Sequence, residues 1–362
     1  MRTLAAAGLL AAAAGGCGSG ADPKATATPA STAQRRPGER VAALDRPLDR
    51  ALRRGARRVG ASAAGAAVVV RGRLVWAGAA GEAGRPDAVF SLASVTKPFI
   101  ATLTLRRVEQ GRLSLHDTVA RWLGDAVPAE VGRARIRDLL GHTSGLADYF
   151  DDPAVQAADS DPRHRWTEPE LLRAIHREAP PGSFAYRNSN YILLGAILRR
   201  VGGRRTGAQL RDEILRPLGL RHTSLDRDPA LARRFAGGGR QDNDLWGELF
   251  SDGGMAGTAP DVARFFDALL VGERLLRPGS LRRMTAPGPN GTYGLGLGSA
   301  GLGRCRLWGH TGFYPGWTSE ALTERRSGVT AVVLLHGAQR GDADAVLGRL
   351  GARLRRRGVL PC

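Results

Sequence analysis

Ser94 and Lys97 stand three positions apart in Phe90-Ser91-Leu92-Ala93-Ser94-Val95-Thr96-Lys97-Pro98, just ahead of the apolar stretch Phe99 to Val108 that stops at Gly111. The pattern and its closing glycine predict a helix, and residues i and i+3 share a helix face. A hydroxyl and an amine then lie side by side at a helix N-terminus, where the positive end of the dipole favours a developing negative charge. Such a pair suits nucleophilic catalysis, the hydroxyl attacking while the amine handles its proton. The lysine is conspicuous because only Lys24 and Lys97, among 53 basic residues, are not arginine. Arginine keeps its proton in a protein, whereas a desolvated lysine can release it.

Alone, a Ser-x-x-Lys is a weak signal, and Ser94 could be a plain helix cap. Two further stretches supply company. Pro180-Pro181-Gly182 predicts a loop before Tyr186-Arg187-Asn188, which leads into an apolar helical stretch from Asn190 to Arg200. Cys305 to Trp308 alternates as a strand and delivers Gly309-His310-Thr311-Gly312, and Thr318 to Thr323 and Val329 to His336 read as two more strands.

With these three motifs in this order, the chain resembles the family of serine β-lactamases and DD-peptidases, in its class C and actinomycete D-alanyl-D-alanine carboxypeptidase branch. The matching elements are Ser-x-x-Lys at Ser94 and Lys97, Tyr-x-Asn at Tyr186 and Asn188, and Lys/His-Thr-Gly at His310, Thr311 and Gly312. Leu139-Leu140-Gly141-His142-Thr143-Ser144-Gly145-Leu146, Pro217-Leu218-Gly219-Leu220 and Tyr293-Gly294-Leu295-Gly296-Leu297 agree with it, over roughly residues 42 to 360. The resemblance implies that Ser94 forms an acyl-enzyme while Lys97 and Tyr186 together move its proton. A phenol is a poor base at neutral pH unless a cation sits beside it, which is the place the resemblance gives to Lys97. It further implies that His310 lends hydrogen bonds and partial positive charge in place of a lysine. By the same resemblance Asn188 holds Lys97 and the substrate amide, Thr311 binds a substrate carboxylate, and Gly312 lets the substrate backbone approach. The backbone N–H groups of Ser94 and Phe313 would form the oxyanion hole, each donor contributing about 3–4 kcal/mol to the barrier.

Other signals are blander than they look. Gly296-Leu297-Gly298-Ser299-Ala300-Gly301 matches a dinucleotide fingerprint but leads into a strand, so it reads as a hairpin turn. Thr167-Glu168-Pro169-Glu170 reads as a capping box opening a helix through His176, not as a deacylating loop. His142-Thr143-Ser144-Gly145 lacks a Gly-x-Ser-x-Gly elbow, and the seven histidines show no metal-ligand spacing, so neither a metal nor a cofactor is implied.

The 362 residues, 43% apolar, are enough for a sizeable core. Residues 1–17 resemble a lipoprotein-type signal peptide with Cys17 as the lipidated residue, and 18–38 form a Pro/Ser/Thr/Ala-rich linker. The β-lactamase-related serine hydrolase domain is expected over 39–362. Export to the cell surface, an envelope contact through the lipid anchor and a monomeric state are the corresponding expectations. In an oxidising compartment Cys305 and Cys362 have only each other as partners, which suggests a disulfide. The net charge of +19 is spread along the chain without a dense basic block, so nucleic acid is not an expected partner.

The expected fold class is α+β: an antiparallel sheet from residues 64–80 and the C-terminal strands, flanked by helices at 41–58 and 341–357, with a mainly helical subdomain over 94–285. Its substrate would be a D-Ala-D-Ala stem peptide, a β-lactam or an ester. The carboxypeptidases carry a second hydroxyl residue after the His-Thr-Gly element and an arginine on the preceding hairpin. This chain has Phe313 and no arginine at Gly298-Ser299-Ala300, leaving Arg304 or Arg306 as substitutes.

Overall fold

The computed structural model describes residues 45–161, 164–236 and 247–362. Cys17, the signal peptide, the 18–38 linker and the domain start at 39 lie outside the described residues. Within them the chain forms eight strands and five helices of twelve residues or more. The helices are α1 (Asp45–Arg58), α2 (Thr96–Glu109), α3 (Ser189–Gly202), α4 (Ala259–Leu270) and α5 (Asp342–Arg356). Strands β1 (Ala63–Val70), β2 (Arg73–Gly81), β5 (Gly298–Leu302), β6 (Cys305–Tyr314), β7 (Trp317–Glu324) and β8 (Val329–His336) make one antiparallel sheet of order β2-β1-β8-β7-β6-β5. A two-residue ladder pairs β3 (Phe90–Ser91) with β4 (Ala256–Gly257) beside it. The fold is mixed α+β, as the motifs imply.

The central strands are apolar throughout because both faces of the sheet are covered. Ala67 and Val69 of β1 point into the core shared with the helical part, while Ala64, Ala66 and Val68 pack under α1 and α5. On α1, Leu48, Ala51, Leu52, Gly55 and Ala56 recur at helical spacing and are buried, leaving the arginines outside. Gly55 admits α5, since a Cβ there would lie 3.1 Å from a methyl of Val346.

Helix α2 has no polar face: every residue from Thr96 to Leu105 is buried. A helix apolar all round belongs inside a domain, and its two mid-helix threonines return their hydroxyls to the carbonyls of Pro98 and Ile100 at 2.7 and 2.8 Å. The helix starts at Thr96, ahead of the apolar run, because Pro98 is tolerated in a first turn where its missing N–H costs nothing. Lys97 is therefore helical and Ser94 sits on the turn before it.

Two further boundaries differ from the sequence reading. β6 runs on to Tyr314, so His310, Thr311 and Gly312 lie inside the strand rather than after it. The capping box at Thr167 and Glu170 is formed, but its helix ends at Arg173 instead of His176. The glycine-rich run at 296–301 turns into β5, which pairs with β6. Cys305 and Cys362 are bonded, closing a 57-residue separation between the first residue of β6 and the tail that follows α5. A loop of that length confers about 4 kcal/mol in the chain-entropy picture.

Candidate active site

Ser94 is presented by a single 3-10 turn, Ala93–Val95, between β3 and α2. The residue before it, Ala93, has φ of 45°, a left-handed conformation that costs a non-glycine residue about 1–3 kcal/mol. Contacts from three directions hold it there. The Leu92 N–H donates to the Met255 carbonyl (2.9 Å), the Met255 N–H to Thr96 Oγ1 (3.1 Å), and the Ser319 hydroxyl of β7 to the Leu92 carbonyl (2.8 Å).

Lys97 is 0% exposed. Its Nζ lies 3.1 Å from Ser94 Oγ, 2.9 Å from Asn188 Oδ1 and 2.7 Å from the Asp252 carbonyl. Asn188 Oδ1 and the carbonyl can only accept, so they take two N–H donors. The third position faces Ser94, where a protonated amine donates and a neutral one accepts the serine proton. Two fixed acceptors thus aim the amine's exchangeable position at the nucleophile. The Asn188 amide is itself oriented by Asp148, whose Oδ2 accepts from the Asn188 backbone N–H (2.8 Å) and from Nδ2 (3.1 Å). Burial raises the pKa of Asp148, and these donors partly offset that.

Tyr186 brings its ring to 5.0 Å from Lys97 Nζ, and its buried hydroxyl has no hydrogen-bond partner among the described residues. The ring stacks on His142, centroids 4.3 Å apart. His142 Nδ1 accepts from the Arg187 backbone N–H (3.2 Å) and the Asn190 side-chain amide (3.0 Å), so the proton sits on Nε2. Burial first, then the Lys97 charge, hold its pKa well below the usual histidine value. The Leu-Gly-His-Thr-Ser-Gly stretch is thus more than a turn: its neutral imidazole positions the phenol.

His310 departs from its expected role. Its Nδ1 lies 2.5 Å from the Thr311 carbonyl and therefore donates, leaving Nε2 to accept from the Tyr293 hydroxyl at 3.0 Å. Burial, with Lys97 adding to it, lowers its pKa to about 3. The imidazole is neutral and lends no positive charge; it anchors Tyr293 and stands 6.1 Å, ring to ring, from Tyr186.

Thr311 and Phe313 line a cleft of about 200 Å³ with Ser94, Tyr186 and Asn188. β5 stops opposite Gly309, so beyond that point one edge of β6 lacks a strand partner on the side of the cleft. Gly312 serves a different need from the one expected. A Cβ there would lie 2.3 Å from Ser319 Oγ and 2.5 Å from the Leu92 carbonyl, so the glycine lets β6 press on the nucleophile turn rather than making room for substrate. Arg304 and Arg306 do not line the cleft, and Arg306 stacks on Trp308. The cation that does line it is Arg340, beyond β8, 4.5 Å over the Phe313 ring. Asp252 lines it too, and both escaped the sequence reading because neither belongs to a motif.

Among the described residues no three His, Cys, Asp or Glu side chains are grouped to hold a metal ion. A family model described as Beta-lactamase matches residues 48–355. The chain belongs to that family. A Streptomyces D-stereospecific amidohydrolase of known structure is similar over 83% of this chain and 96% of its own, with 30% identity and a TM-score of 0.71. The Beta-lactamase match is joined by penicillin-binding protein 4 of Amycolatopsis lactamdurans, 31% identical over 64% of this chain and 62% of its own. The esterase EstB of Burkholderia gladioli is 35% identical over half of each chain. The chain spans between half and two thirds of the length of the first curated relatives it matches.

Proposed function

We propose that this member of a serine hydrolase family cleaves the amide or peptide bond on the carboxyl side of a D-configured residue, with D-alanyl-D-alanine carboxypeptidase-like action on cell-wall peptides as its leading form. The observation that carries this reading is Lys97, sealed from solvent and aimed at Ser94 by Asn188 and the Asp252 carbonyl. In the reaction Ser94 Oγ bonds to the carbonyl carbon as its proton passes to Lys97 and Tyr186, which act as one coupled set. The oxyanion meets the Ser94 and Phe313 backbone donors. Collapse breaks the C–N bond, the amine leaves with the returned proton, and water then releases the acyl group by the same route in reverse. Arg340 is available for the carboxylate of a leaving residue, and the likeness to a D-stereospecific amidohydrolase supports the stereochemistry.

Esterase action is a second reading, favoured by the apolar wall that Phe313 gives the cleft. The test is a parallel assay of the full chain, with Ser94→Ala as control, on a D-Ala-D-Ala peptide, a D-amino-acid amide, a chromogenic cephalosporin and a nitrophenyl ester. Cleavage of the first two, with D preferred over L, is expected. Turnover of the ester alone would overturn the reading in favour of an esterase, rapid turnover of the cephalosporin alone would make it a β-lactamase, and no turnover a binding protein. Envelope attachment through Cys17 belongs to the same proposal, supported by the leader's charged, apolar and small-residue regions; a Cys17→Ser chain recovered from the soluble fraction while the parent stays with membranes is the expected result.

A further inference from the structure

Helices α1 and α5 lie antiparallel on the outer face of the sheet, with Gly55 against Val346 and Arg349, and a groove of about 300 Å³ opens where the start of α1 meets the end of α5. Arg50 and Arg54 line it from α1, and Arg353, Arg356 and the C-cap Arg357 from α5, with no acid among the lining residues. None of the five makes an ion pair or a side-chain hydrogen bond among the described residues. Asp49, the acid beside Arg50, is occupied by the Trp76 indole N–H at 3.1 Å. Like charges four apart, as at Arg50 and Arg54, weaken a helix. The dipole of α5 favours cations at its last turn, but it does nothing for the two arginines in the middle of α1. Elsewhere in the chain arginines gather round carboxylates: Arg204, Arg211 and Arg216 round Asp212, and Arg85 with Arg234 round Asp87. The groove is the place where guanidinium groups converge and the matching anion is not among the lining residues.

We propose that this groove binds the phosphate of an anionic phospholipid headgroup and so sets the α1–α5 layer against a membrane surface. A guanidinium presents a planar fork of N–H donors that matches phosphate oxygens, and here two helices offer such forks to one space. Lipid is chosen over a soluble phosphate because the chain enters α1 at Asp45, just before Pro47 on the groove wall, so an anchor at Cys17 joins the folded part at this end. That choice rests on the envelope attachment proposed above; the anion site itself does not. The groove shares no residue with the Ser94 cleft, so its occupancy orients the domain without touching the chemistry. Each arginine beside an anionic leaflet strengthens attachment roughly fivefold, an effect that salt screens. The groove therefore orients a tethered domain and does not replace its anchor.

The experiment sediments the full chain carrying Cys17→Ser, so that no lipid anchor contributes, with phosphatidylcholine vesicles made with and without phosphatidylglycerol. Two charge-matched variants are run beside it: Arg50→Gln/Arg54→Gln/Arg353→Gln in the groove, and Arg133→Gln/Arg137→Gln/Arg282→Gln at exposed positions outside it. Thermal melting checks the folding of both. The parent should favour the phosphatidylglycerol vesicles by about 100-fold or more, as several arginines at roughly fivefold each require. The groove variant should lose at least about tenfold of that preference and the other variant less than about threefold. Equal losses in the two variants overturn the site in favour of scattered net charge. Equal binding to both kinds of vesicle also overturns it, assigning attachment to the apolar leader. Saturable capture of glycerol phosphate with no vesicle preference overturns the lipid and leaves a site for soluble phosphate esters. Cell fractionation of the Cys17→Ser chain judges the anchor separately, and the vesicle ratios judge the groove whichever way that result falls.

Discussion

Positive charge is used in two different ways in this molecule. On the outer layer, α1 carries six arginines and α5 four, all on helices whose buried stripes face the sheet. In the cleft a single ammonium, Lys97, is closed off from water and holds three fixed partners. The outer charges need only be cationic and wet; the inner one must be small, aimed and able to change protonation. Guanidinium meets the first requirement and fails the second.

Substitutions that swap the two uses should break the contrast most sharply. Lys97→Arg keeps the charge but loses the releasable proton and overfills a buried site, so kcat/KM should drop about a thousandfold or more, matching Ser94→Ala in steady-state assays and in loss of a covalent penicillin adduct by intact mass. Tyr186→Phe should cost about 10²–10⁴-fold in kcat, read from single-turnover acylation. Asp252→Asn tests the cleft from the stability side. A carboxyl whose pKa is raised from 3.8 to about 6 by burial is neutral in both states only below about pH 3, and its penalty to the fold builds between about pH 4 and pH 6 and is complete above that. The variant should therefore melt at the parent's temperature near about pH 3 and be more stable by about 2–3 kcal/mol at pH 7. At the other extreme, Arg54→Gln on the exposed face of α1 should change stability by less than about 0.5 kcal/mol and leave turnover as it was.

The three motifs were legible because their chemistry demands particular side chains at particular spacings: Ser94 with Lys97, Tyr186 with Asn188, and the His310–Gly312 element. The antiparallel C-terminal strands followed from their alternation and from Val329–His336, where the sequence bounds match the structure. What the sequence did not display is supplied by parts of the chain remote from these motifs. Asp148 orients Asn188 across 40 residues, the Asp252 carbonyl reaches Lys97 across 155, and Arg340 arrives from beyond β8. Such residues contribute a carbonyl, a single carboxyl or a stacked cation, none of which imposes a spacing. The neutral state of His310 was equally hidden, because it depends on burial and a neighbouring ammonium, not on residue type. Gly312 was expected to leave room for substrate, whereas its crowding comes from Ser319 and Leu92, partners that only the folded sheet brings near.

Gly309 has the same property as Gly312: an added Cβ would fall 1.8 Å from the Ala321 carbonyl. With β6 wedged against β7 on one side and the Ser94 turn on the other, strand and turn behave as a single stiff block. A tetrahedral boronic acid should therefore slot in without remodelling it, and amide hydrogen exchange across 92–96 and 309–313 should slow on binding chiefly at Ser94 and Phe313, whose N–H groups meet the bound oxygen, and hardly change at the neighbouring amides.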